Sequence, residues 1–118
     1  MRRKGWTFLS NHGHVLVCLA DDPDMRLKDM AASIGITERA VQQIIADLEG
    51  AQVITRHKEG RRNRYMVRRD VRFRHPLEAG LRVGEFLDMT RRRPRLRQLT
   101  RPWGRPSGDA EDLERDAL

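Results

Sequence analysis

The sequence predicts a mainly α-helical fold with one small β-hairpin, and three observations carry that expectation. Apolar residues recur at helical spacing in three short stretches between residues 11 and 48, each bounded by capping or turn residues. Residues 53–67 then switch character: Val53, Ile54 and Thr55 lead into RHKEGRR and Tyr65 and Val67 follow, so β-branched and aromatic residues flank a single glycine. Finally, a chain of 118 residues, 38% hydrophobic and 5% aromatic, buries one modest core and leaves little apolar surface for a roomy ligand pocket.

The first helix starts at a Ser10 or Asn11 cap and runs to about Ala20, with His12, Val15, Leu16 and Leu19 on its core face. Asp21-Asp22-Pro23-Asp24 stops it and reads as a polar loop. A second helix covers roughly Leu27 to Ser33. It starts at Arg26 or Leu27 with no Ser, Thr or Asp cap, and Gly35 follows where a left-handed turn needs a residue without Cβ. Thr37 caps the third helix. Gln52 stands where a glycine usually ends such a helix, leaving Gly50 to loosen its C-terminus.

The third helix is the most informative. At about 100° per residue, Val41, Ile44, Ile45 and Leu48 fall within one arc, while Arg39, Gln43 and Ala46 point the opposite way with Gln42 at the edge. A solvated face normally carries acids and lysines. Arg, Gln and Ala are instead the types that meet guanine, adenine and the thymine methyl in the major groove. Glu38 suits either the helix dipole or a cytosine amino group.

Charge points the same way. The formal net charge is +7, and of the 24 basic residues 21 are arginine, whose planar fork grips phosphate or guanine with two hydrogen bonds. Arg56, Lys58, Arg61, Arg62 and Arg64 crowd the hairpin around Gly60, where like charges repel until a polyanion relieves them.

Residues 27–46, LKDMAASIGITERAVQQIIA, resemble the helix-turn-helix signature: small Ala31 where two helices cross, Gly35 in the turn, and apolar Met30, Ile34, Ile36, Val41 and Ile44 between them. With the hairpin following at once, residues 6–90 resemble the winged helix-turn-helix superfamily, and among its members the MarR-like and ArsR-like bacterial regulators. The resemblance implies a sequence-specific transcriptional regulator bound to double-stranded DNA. It assigns base readout to Arg39, Gln42, Gln43 and Ala46, and backbone contact to Thr37, Lys58, Arg61, Arg62 and Arg64. It also implies a homodimer. Two contacts suit that role: the segment 75–90, where Pro76 fits a helix start but Gly80 and Gly84 each cost about 1 kcal/mol relative to Ala, and Val17, placed beside His14 and Cys18 on the outer face of the first helix. The alternative is a winged-helix module that binds nucleic acid nonspecifically, as nucleoid-associated or RNA-binding proteins do, or that mediates protein interaction.

The winged-helix domain is expected to occupy residues 1–90 and a flexible tail 91–118. The tail is basic over 91–108, with seven arginines and no acid, then acidic over 109–118, with a net charge of −4. Pro102-Trp103-Gly104-Arg105-Pro106 resembles the core of an AT-hook, which makes Arg101 and Arg105 minor-groove candidates. Trp103, however, stands where that motif has an arginine, so a basic tether is the competing reading. No cofactor or metal site is expected, and the sequence leaves a small-molecule effector open: Cys18 is a lone sulfur among His12, His14, His57 and His75, and no nucleophile with a base, glycine-rich phosphate loop or carboxylate pair suggests an enzyme. The lone cysteine and the absence of a long apolar run point to the cytoplasm, on the bacterial nucleoid, rather than to a membrane.

Overall fold

A computed structural model describes residues 5–92. Its elements run α1 (Asn11–Asp21), α2 (Leu27–Ile34), α3 (Glu38–Gly50), β1 (Ile54–Glu59), β2 (Arg62–Val67), a 3₁₀ turn at Pro76–Glu78, α4 (Val83–Met89) and a 3₁₀ turn at Thr90–Arg92. The fold is mainly helical with one antiparallel hairpin, a winged helix, as the sequence predicts. The expected tail lies outside the described residues from 93 onward, Arg101 and Arg105 with it.

Local chemistry explains each boundary. Ser10 caps α1 by accepting from the Gly13 N–H at 3.3 Å, and Thr37 caps α3 by accepting from the Ala40 N–H at 3.0 Å. Gly35 ends α2 at φ 90°, and the Ile36 N–H closes back on the Ala31 carbonyl at 3.1 Å. The end of α3 departs from expectation. Gly50 stays helical, and Gln52 itself takes the left-handed conformation at φ 62°. Two bonds hold it there: Gln52 N–H to Glu49 O at 3.0 Å and Val53 N–H to Leu48 O at 2.9 Å. Buried Val53 packs on the same turn as buried Leu48, so the hydrophobic contact of this capping motif outweighs the strain of a side chain at positive φ.

The core joins the inner faces of all four helices to the base of the hairpin. Val15, Leu19, Met30, Val41 and Ile54 are among its most buried members, and no polar side chain is buried among the described residues. Truncating Leu19 to Ala would cost about 2–5 kcal/mol. Helix α1 is central, contacting α2, α3, β2 and α4. That position corrects two expectations. Val17 and Cys18 are buried, so Val17 offers no free surface for a partner, and His12, expected on the core face, is exposed.

The segment 75–90 is not one helix. Pro76–Glu78 forms a single 3₁₀ turn capped by the His75 ring, an antiparallel bridge pairs Arg72 with Arg82, and only then does α4 begin, with the Glu85 carboxylate accepting from the Arg82 N–H at 2.9 Å. Phe73 meets Phe86 edge to face at 5.7 Å, fixing α4 against this return. Gly80 and Gly84 therefore do not share a helix face. Gly84 is buried against Arg69, whose side chain would lie 3.0 Å from an added Cβ.

Candidate nucleic-acid interface

Helix α3 buries Val41, Ile44, Ile45 and Leu48 and leaves Arg39, Gln42, Gln43 and Ala46 exposed. The turn Gly35-Ile36-Thr37 sets it against α2, so the buried face faces the core and the opposite face is held outward by packing. Arg39 and Gln42 make no side-chain hydrogen bond or ion pair to any described residue. Gln43 is engaged: its amide donates to Asp47 Oδ1 at 3.1 Å, while Asp47 Oδ2 accepts from His12 Nε2 of α1 at 2.8 Å. These two bonds, the His12 contact first, hold the Asp47 carboxyl below the usual aspartate range.

The hairpin is the second part of the surface. Ile54 pairs with Val67 at its base and Glu59 with Arg62 at its end. Gly60 turns the chain at φ 64° with Arg61 beside it, positive φ falling at the first central position only, as in a type II′ turn. Buried Tyr65 anchors the base, whereas Lys58, Arg61, Arg62 and Asn63 are exposed.

The cations of this wing are not equivalent. Arg62 donates to the Asp24 carbonyl at 2.6 Å, and Arg64, half-buried, pairs with the Asp24 carboxylate at 3.4 Å. The Tyr65 N–H meets the Pro23 carbonyl at 3.2 Å, so the loop 21–24, expected only to be polar, braces the outer strand of the wing. Arg56 pairs with Glu49 of α3 at 3.2 Å and ties the inner strand to the end of that helix. The Lys58 and Arg61 side chains make no such bond to any described residue.

Two cations escaped the sequence reading. Arg26 and Lys28, both exposed, line a groove with Arg62 and Asn63 of the wing and Glu38 at the start of α3. Arg26 occupies the capping position of α2 but makes no cap hydrogen bond, since a guanidinium has no acceptor to offer. The missing cap was the signal in the sequence. Thr37 stands nearby as a cap whose oxygen accepts from Ala40, leaving its hydroxyl proton to donate outward. Among the described residues no group of three His, Cys, Asp or Glu side chains is placed to hold a metal, and no helix is long and apolar enough to cross a membrane.

A helix-turn-helix whose second helix bares Arg and Gln, flanked by a cation-tipped hairpin, defines a winged-helix DNA-binding protein. Residues 10–62, from the cap of α1 through the wing tip, match the MarR family, a match that supports a winged-helix regulator of the MarR-like type and, more generally, a DNA-binding transcriptional regulator. Comparison with curated proteins and with solved structures gave no match.

Proposed function

We propose that the protein is a non-enzymatic, sequence-specific transcriptional regulator of the bacterial nucleoid in which α3 enters the major groove and the wing lies on the adjacent backbone or minor groove. The observation that carries this reading is the open face of α3. Arg39, Gln42, Gln43 and Ala46 project from it, and the one acid beside them, Asp47, is engaged by His12 and Gln43, which suits contact with base edges. Lys58 and Arg61 meet phosphates from the wing, with Arg62 and Arg64 held closer to the loop 21–24. Thr37 and the free N–H groups at the start of α3 hold another phosphate, joined by Arg26 and Lys28 across the groove.

The module acts as a homodimer on two half-sites about 10 bp apart, centre to centre, because so few base contacts per subunit give limited affinity alone. The domain that does so ends near residue 90, and the basic stretch 91–108 adds nonspecific attraction to DNA.

The test is binding of Arg39→Ala and Gln42→Ala to a selected site and to its single-base variants. Each substitution removes about 1–3 kcal/mol of preference at one base position and leaves nonspecific affinity nearly unchanged. A uniform loss on every sequence would place these side chains on the backbone instead. Light scattering of the free protein reads the dimer directly, and a monomer on an asymmetric half-site removes that part of the proposal.

A further inference from the structure

Asp47 sits between two side chains that come from different helices. His12 Nε2 approaches its Oδ2 at 2.8 Å from the start of α1, and Gln43 donates to its Oδ1 at 3.1 Å from the preceding turn of α3. A carboxylate only accepts hydrogen bonds, so both neighbours must turn a donor toward it. For His12 this fixes the tautomer. For Gln43 it fixes which end of the carboxamide meets Asp47: the NH₂ group turns toward the carboxylate, and the carbonyl Oε1 and the second N–H are left over.

That leftover pair is one acceptor beside one donor. In the major groove, adenine presents a donor at N6 beside an acceptor at N7, whereas guanine presents two acceptors, O6 and N7. An unrestrained glutamine can turn its amide to suit either partner. One held by Asp47 is left with the pattern that complements adenine. Because Asp47 is itself held by His12, its carboxylate cannot swing away from Gln43 without losing the shorter of its two bonds.

We propose that His12 and Asp47 are positioning residues that lock the Gln43 carboxamide in the orientation that reads adenine, so that the base pair facing Gln43 in the bound site is A·T. The inference rests on the groove-reading role of α3 and adds to it the base and the device that selects it. Neither positioning residue needs to touch DNA. Asp47 even opposes binding by its charge, which gives the arrangement a signature: removing it weakens selection while strengthening attraction to any duplex.

The experiment compares the full-length protein with Gln43→Ala, Asp47→Ala, His12→Ala and His12→Gln on a selected site, its single-base variants and an unrelated duplex. Gln43→Ala is expected to erase a preference for adenine of about 5- to 150-fold at one position. Asp47→Ala should lower discrimination at that same position at least about threefold while raising affinity for the unrelated duplex, and the Gln43→Ala/Asp47→Ala double variant should match Gln43→Ala alone, as coupled residues do. His12→Ala should shift the same position in the same direction, and His12→Gln, which restores a donor, should recover it. If Gln43→Ala changes no base preference, the groove-reading role fails and this inference with it. If Gln43→Ala acts but Asp47→Ala leaves discrimination intact, or lowers affinity for every duplex alike, the groove reading stands and the positioning role is overturned.

Discussion

Arg62 donates to the backbone carbonyl of Asp24 at 2.6 Å, across 38 residues of sequence, and thereby ties the cationic wing to the loop between α1 and α2. The same residue's carboxylate pairs with Arg64 at 3.4 Å, so one short loop restrains two of the wing's cations while Arg61 at the tip stays clear. Replacing Asp24 with Ala keeps the carbonyl and removes only the Arg64 pair. Both partners are substantially exposed, so stability should change by less than about 1 kcal/mol. The freed Arg64 should raise nonspecific DNA affinity and steepen the slope of log K against log salt by up to about 0.9, whereas Lys58→Ala or Arg61→Ala should each flatten it by about that amount. Binding isotherms across a salt series decide this, and a loss of affinity in Asp24→Ala would show that bracing the wing matters more than freeing its charge.

The two glycines of the 75–90 segment should respond oppositely to alanine. Gly80 is exposed with open space around its Cβ position, so Gly80→Ala should stabilise by about 0.4–1 kcal/mol through the unfolded chain. Gly84 lies inside α4, where propensity alone favours Ala by about 1 kcal/mol, yet its Cβ would meet Arg69 Cβ at 3.0 Å and Nε at 3.1 Å. Arg69 cannot simply swing aside, because it also donates to the Gly84 carbonyl at 3.2 Å and to Asp88 at 2.8 Å. Gly84→Ala is therefore expected to lower the urea midpoint, and a raised midpoint would mean the Arg69 brace yields at little cost.

Gln52 is the described non-glycine residue at positive φ. Gln52→Gly should stabilise by about 0.5–1 kcal/mol, the relief of left-handed strain less the extra freedom glycine gains when unfolded. Chemical denaturation measures it. A destabilised variant would show that the Gln52 side chain contributes packing that outweighs the strain.

Asp47 and Asp88 are both held below the usual carboxylate range, Asp47 chiefly by the His12 hydrogen bond and Asp88 by the Arg69 hydrogen bond. A carboxyl whose folded pKa is depressed binds fewer protons folded than unfolded. Its contribution is full above the ordinary aspartate value of about 3.9 and is lost as the pH falls through the lowered folded value. Urea midpoints should thus decline below about pH 4, and Asp88→Asn should flatten that decline. An unchanged profile in Asp88→Asn would leave the Arg69 contact without a share in acid stability.

Much of this was legible in the sequence, for physical reasons that also mark where legibility stops. Thr37, Gly35 and the Val41, Ile44, Ile45, Leu48 arc are local signals, and local signals placed α3 and its open face. A helical wheel counts one buried face and so puts His12 in the core and Val17 outside it, whereas the four elements around α1 bury Val17 and leave His12 exposed in the first turn. The bonds from Arg62 and Arg64 to Asp24, and from His12 to Asp47, join residues 35 to 40 positions apart and leave no periodic trace. The break at Gly80 is written in the sequence, but the bridge between Arg72 and Arg82 that continues the chain is not.

The most direct test of groove reading is selection of bound sites from a random duplex pool by the full-length protein. The account predicts an enriched, imperfect palindrome in which single-base changes cost about 1–3 kcal/mol each, with Arg39→Ala and Gln42→Ala relaxing selection at particular positions only. An unenriched pool, bound with equal and strongly salt-dependent affinity whatever its sequence, would contradict it and leave a winged helix that holds nucleic acid by charge alone.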